Sequence, residues 1–243
     1  MCAAERTRTH NLLMQMDAPP TRNAETRRAQ LMTEIIAGVE VPETAAVAEA
    51  TRHIREMTSP LIFHHSRRTF FFAALHAREA GLRPDPELLY LSAIFHDLGL
   101  RTPFSDVEQR FELDGADHAR KFLLDRGFPA TAADVVWEAI ALHSTPRIPG
   151  RMGPEVAATY HGVLIDVQGA GLDKLDRGLV DEITTVHPRG DFKNGFLQAL
   201  LEGTRDRPDT TFGTISADVL VHFIPGFRRV SMVERVMGSA WPS

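Results

Sequence analysis

Eleven histidines stand in a chain of 243 residues, and seven of them fall between His64 and His161. His96 and Asp97 are adjacent in AIFHDLG, at the end of an apolar run. Neighbours on a helix point about 100° apart, so both reach one point only if that point lies beside the helix end. An imidazole and a carboxylate there are good ligands for a divalent metal. A helix end with a stabilising histidine and a chance aspartate is the plainer alternative. Asp166 lies in GVLIDVQGAG, with no other charge from Val163 to Leu172. A buried lone carboxylate costs several kcal/mol, roughly, so it needs a cation, a proton or a set of donors. Gly162 and Gly169 flank it and would clear space for a neighbouring helix or a ligand.

His65, in LIFHHSRRTFFF, shares a helix face with Leu61 and Phe72, which makes it the inward member of the His64–His65 pair. His143 follows Val136 and Ala139 by seven and four residues, on the inner face of its segment; His118 similarly follows Phe111 by seven and precedes Phe122 by four. Each is a ligand, a proton carrier or a packed core histidine on this evidence. Phe70, Phe71, Phe72 and Phe95 are available to exclude solvent from a site or to fill the core. The single cysteine, Cys2, rules out an intrachain disulfide and a thiolate metal site, so a metal here is held by His, Asp or Glu.

These residues need a scaffold, and the pattern is helical throughout. Ser59–Pro60 open a helix that Gly81 ends, and Asp85–Pro86 open one running to Gly99. Further helices are expected over 107–126, from a Thr131/Asp134 capping box to before Pro146, over 154–167, 192–201 and 211–223. A short helix over 23–37 belongs to a polar leading arm. The expected fold is all-α, a single helical domain over 41–227, preceded by an arm over 1–40 and followed by a tail over 228–243.

A net charge of -5 gives no pull toward nucleic acid or anionic lipid. No stretch of about eighteen uncharged apolar residues exists, and the N-terminus lacks a signal pattern, so the expectation is a cytoplasmic protein with no membrane partner. A small-molecule substrate is the expected partner, and a homo-oligomer is compatible with the size.

The order His65, His96–Asp97, Asp166 resembles the H…HD…D signature of the HD-domain superfamily, helical proteins that bind a divalent metal. The segments HHSRRTFFF, LSAIFHDLGL, RFELDGA, AIALHSTPRI and VLIDVQGAG resemble the cyanamide hydratase branch, over about Val41 to Phe227. The resemblance implies His65, His96, Asp97 and Asp166 as ligands of one divalent metal. Zinc is the first expectation, with manganese, iron, cobalt and nickel also suited to nitrogen and oxygen donors. It implies metal-bound hydroxide attacking a small C≡N compound such as cyanamide, with His143, titrating near neutrality, as the proton carrier. The rival is metal-dependent phosphohydrolysis or phosphodiester hydrolysis. There Arg67, Arg68 and Arg101 would replace a lysine common after the HD pair, and His118 would serve a second ion. A scaffold that binds without turnover is the third reading. No GxSxG, HExxH or GxGxxG occurs.

Overall fold

The computed structural model describes residues 33–241. A two-stranded antiparallel hairpin, β1 (Ile35–Ile36) and β2 (Val39–Glu40), comes first. Ten α-helices follow among the described residues: α1 (Ala45–Met57), α2 (Pro60–Ala80), α3 (Pro86–Phe95), α4 (Phe111–Asp125), α5 (Ala130–Leu142), α6 (Pro154–Gln168), α7 (Arg177–Val186), α8 (Phe192–Thr204), α9 (Ser216–Phe223) and α10 (Met232–Met237). The all-α expectation holds apart from the hairpin. Of the helix expected over 23–37, residues 23–32 lie outside the described residues. Residues 33–37 instead form β1 and a tight turn with Ala37 at φ 53°, and the hairpin buries Ile36, Ala37 and Val39 in the core.

The centre of the molecule is α2. Ser59 caps it by accepting from the Ile62 N–H at 3.3 Å, Pro60 occupies the first turn, and Gly81 ends it. Its residues are buried on every side from Ile62 to Ala73 except His64, so it is a core helix rather than a surface amphipath. Its closest partner is α6. At Gly162 a Cβ atom would stand 2.4 Å from the Thr69 carbonyl oxygen and 2.8 Å from the Ala73 Cβ, so the two backbones approach through this glycine. Gly169 does no such work: it caps α6 in the left-handed conformation at φ 71°, with open space beside it.

Asp85 caps α3 by accepting from Glu87 and Leu88, and the helix gives way at His96 to a short 3₁₀ turn over Leu98–Leu100. A Cβ on Gly99 would lie 2.0 Å from the Phe111 carbonyl oxygen, so only glycine lets α4 start against this turn. Buried Arg207 ties the same region together. It donates to the Gly99, Asp106 and Gln109 carbonyls at 2.7, 2.8 and 2.9 Å and pairs with Asp114.

Besides α3, which ends at Phe95 rather than Gly99, three boundaries differ from the pattern-based reading. Helix α4 begins at Phe111 rather than near residue 107. Helix α5 starts after Pro129, whose side chain cannot cap; Thr131 falls inside the helix, and Asp134 is engaged with Arg120 at 2.7 Å. The stretch expected as one helix over 211–223 is a 3₁₀ turn, Pro208–Thr211, then a break at Gly213 (φ 73°), then α9. Helices α1, α7 and α10 had no expected span in the sequence.

Candidate metal centre

The end of α3 delivers the adjacent pair as its geometry requires. His96 occupies the C-cap in helical conformation, and Asp97 leaves the helix at φ -102°, ψ 8°. His65 reaches the same point from the middle of α2. The His65 Nε2 lies 3.1 Å from the His96 Nε2 and 3.4 Å from an Asp97 carboxylate oxygen, which in turn is 3.2 Å from the His96 Nε2. All three residues are at most 1% exposed. One potential ligand atom from each lies within 4.8 Å of the others, and no further such group of three or more occurs among the described residues.

The far ring nitrogens decide what these atoms offer. His96 donates from Nδ1 to the Ala93 carbonyl at 2.8 Å, and His65 donates from Nδ1 to Asp166 Oδ2 at 2.6 Å. With Nδ1 committed, each ring in its neutral form turns an Nε2 lone pair toward the other and toward Asp97. Burial would lower the His96 pKa, but the adjacent Asp97 carboxylate raises it, so a proton on His96 Nε2 competes with a cation for this point. Burial by itself would raise the Asp97 carboxyl, but the adjacent His96 and His65 outweigh it and hold the group ionised. Asp97 Oδ2 is buried and has no hydrogen-bond donor. Two ring nitrogens and an orphaned carboxylate oxygen facing one another repel unless a proton or a metal cation stands among them. The donor set fits a divalent ion.

Asp166, expected among the ligands, stands apart from this convergence. Its Oδ2 is taken by His65 Nδ1 and by Arg68 Nη2 at 2.9 Å, and its Oδ1 by Arg68 Nε at 2.8 Å and by Arg189. It lies behind the His65 ring, where a carboxylate fixes the tautomer and orientation of a metal-binding histidine. Burial would raise its pKa, and His65 and Arg68 more than reverse that. Neither arginine could be assigned from the sequence: Arg189 lies in a loop, and Arg68 gave no sign of pointing inward.

His143, C-cap of α5, is 3% exposed, with its Nε2 3.7 Å from Asp97 Oδ1 and its ring edge-on to His96. Its Nδ1 donates to the Ile140 carbonyl at 2.7 Å. Burial and the neighbouring His96 push its pKa down to about 4, which corrects the expectation of a group titrating near neutrality. His118 is exposed and sits edge-on to Phe104, outside the cluster, because the buried face of α4 runs through Ala116, Ala119 and Leu123. Phe70, Phe71, Phe72 and Phe95 are core; the aromatic rings against the site are Phe192 and Phe196, 5.1 and 5.0 Å from His65.

A cavity of about 290 Å³ opens onto His96, Asp97 and His143. Apolar residues such as Phe111, Val163, Leu164, Val167 and Phe196 form most of its wall, with Ser144, Arg147, Tyr160, Gln168 and Ser216 supplying polar groups. Arg67 and Arg68 are not among them: both are buried, paired with Glu34 and Asp166. Arg101 lies on a separate surface depression beside Ser59 and Gly195.

Residues 62–177 match the family model of the HD domain. That stretch contains every residue of the convergence together with Asp166 and His143. No curated protein matches the chain. An HD domain with a buried His/Asp cluster indicates a metal-dependent hydrolase that takes a divalent ion. No helix among the described residues is long and apolar enough to cross a membrane.

Proposed function

We propose that the protein is a metal-dependent hydrolase acting on a small phosphate ester. The observation that carries the metal-dependent part is the convergence of His65 Nε2, His96 Nε2 and an Asp97 carboxylate oxygen, 3.1 to 3.4 Å apart and buried. In this reading those three hold the ion, zinc in the first instance, and Asp166 acts through His65 by holding its ring. Two neutral rings and one carboxylate leave a divalent ion with a net positive charge and open positions. Such an ion, when bound, lowers the pKa of a water and polarises an electrophile. His143 is neutral at pH 7, with its Nδ1 proton committed to Ile140, so its Nε2 accepts a proton from the attacking water. The apolar walls exclude bulk water, and Arg147 supplies a cation for an anionic group.

The HD match supports phosphate esters first. A second reading, hydration of a small C≡N compound such as cyanamide, is favoured by the size and largely apolar walls of the cavity and by the absence of Arg67, Arg68 and Arg101 from it. One panel tests both: metal-free protein is loaded in turn with zinc, manganese, iron, cobalt and nickel. Each form is assayed on p-nitrophenyl phosphate, bis-p-nitrophenyl phosphate and cyanamide, with bound metal counted per chain. Phosphate release that disappears in Asp97→Ala supports the first reading. Urea from cyanamide without phosphate release overturns it in favour of the second.

A further inference from the structure

Glu112, on the first turn of α4, is a carboxylate that the metal site does not use. It is 1% exposed and stands on Arg110, which donates to both of its oxygens at 2.9 and 3.3 Å. Burial alone would raise its pKa, but Arg110, His143 and Ser144 keep it below the usual range. Its other partner is the Ser144 hydroxyl, which donates to Oε1. Ser144 follows His143 in the chain and forms part of the wall of the cavity that opens onto His96 and Asp97.

A serine hydroxyl has one proton and two lone pairs. An ionised carboxylate can only accept, so the Ser144 proton is committed to Glu112 and what the serine turns to the cavity is acceptor capacity. We infer that the Arg110–Glu112 pair fixes Ser144 as a hydrogen-bond acceptor, and that the cavity thereby selects small molecules carrying an N–H or O–H donor beside the reacting centre. Glu112 is a positioning residue in this arrangement and Ser144 the group that touches the ligand. The inference rests on the hydrolase reading only in taking this cavity as the place where substrate sits. It applies equally to an amino group next to a nitrile carbon and to a hydroxyl next to a phosphate ester.

The discrimination is the expected one for an acceptor that the bound ligand covers: an analogue without the donor leaves that lone pair dry and unpaired. Acetamide and acetone supply a matched pair of probes, because they share size, shape and a carbonyl and differ in an NH₂ against a CH₃. Their binding to the full-length, zinc-loaded protein is followed by NMR through the Ser144 amide and His143 ring resonances, a measurement that needs no turnover. Acetamide is expected to bind tighter than acetone by about five-fold. Ser144→Ala should reduce the ratio to near one with acetone binding unchanged. Glu112→Gln should also reduce it, since the new amide can donate to Ser144 and release the serine proton toward the cavity. Ser144→Ala is a small change at a half-buried wall position and carries the test even if Glu112→Gln fails to fold.

Equal binding of the two probes to the wild type, no binding of either, or a ratio that survives in Ser144→Ala would overturn the inference. A preference for acetamide in a protein that turns over no ester and no nitrile leaves it standing and removes the hydrolase reading. Turnover without the preference does the opposite.

Discussion

His64 and His65 are consecutive on α2, and each sits in its own cluster of histidines with opposite chemistry. His65 meets His96, Asp97 and Asp166, so its surroundings are carboxylate-rich and bring possible ligand atoms to one point. His64 meets His187, Nδ1 to Nδ1 at 3.1 Å, beside Arg67, which also reaches Glu34 and the Tyr90 hydroxyl. Burial and the arginines push the His187 pKa down to about 3. Two rings joined by one shared proton next to a guanidinium have no use for a cation. The difference teaches that buried histidines do not mark a metal site; the sign of the groups packed around them does.

The largest effect that tests this contrast is on metal retention. Asp97→Ala should lose the bound ion and lower turnover by roughly a thousand-fold or more, about 4 kcal/mol of transition-state stabilisation, as read by metal analysis and initial rates. His187→Gln should retain the full metal content. Equal metal loss in both variants would erase the distinction between the clusters.

Next comes Asp166→Ala, which leaves Arg68, itself 0% exposed, without its carboxylate. Breaking a buried pair from one side costs about 3–5 kcal/mol, measurable by urea denaturation of metal-free protein, so the loss is separable from any effect on metal binding. Gly162→Ala should cost about 1–3 kcal/mol, because its Cβ meets the Thr69 carbonyl on α2. Binding linkage provides a further contrast. Zinc at a hundred times its Kd should stabilise the wild type by about 2.7 kcal/mol and leave Asp97→Ala unmoved in a thermal melt.

A last effect concerns pH. His187 has its pKa lowered in the folded state to about 3, against about 6.5 unfolded. The unfolded chain therefore binds the proton first, and the stability associated with the neutral ring is full above about pH 6.5 and is lost as pH falls from there toward 3. His187→Gln should flatten that part of the stability profile, measured by denaturation between pH 4 and 7 on metal-free protein. His143, depressed to about 4, contributes in the same direction, so the slope should shrink rather than vanish.

Much of the scaffold was legible because local chemistry encodes it. Ser59–Pro60 and Asp85–Pro86 satisfy helix-start donors within a few residues, and the bounds read from them agree with α2 and with the start of α3. The break after Gly213 and the late start of α4 were not legible. The first depends on a positive-φ glycine inside an apolar pattern; the second on Gly99 and Arg207 holding the preceding segment in irregular form. The hairpin at residues 35–40 was missed because strands of two residues carry no alternation to read.

The sequence by itself determined the residue types of the centre: two histidines and an aspartate in the order and spacing of an HD domain, with Asp166 further along. Tertiary structure decided what each one faces. A helix face can be inferred from periodicity, but which nitrogen of a ring is protonated depends on partners far away in the chain. A sequence separation of 101 between His65 and Asp166 is closed by a 2.6 Å hydrogen bond. The same packing aims Arg68 at Asp166, commits Ser144 to Glu112 and keeps His143 neutral, because burial lets a polar group keep only the partners that the fold brings to it.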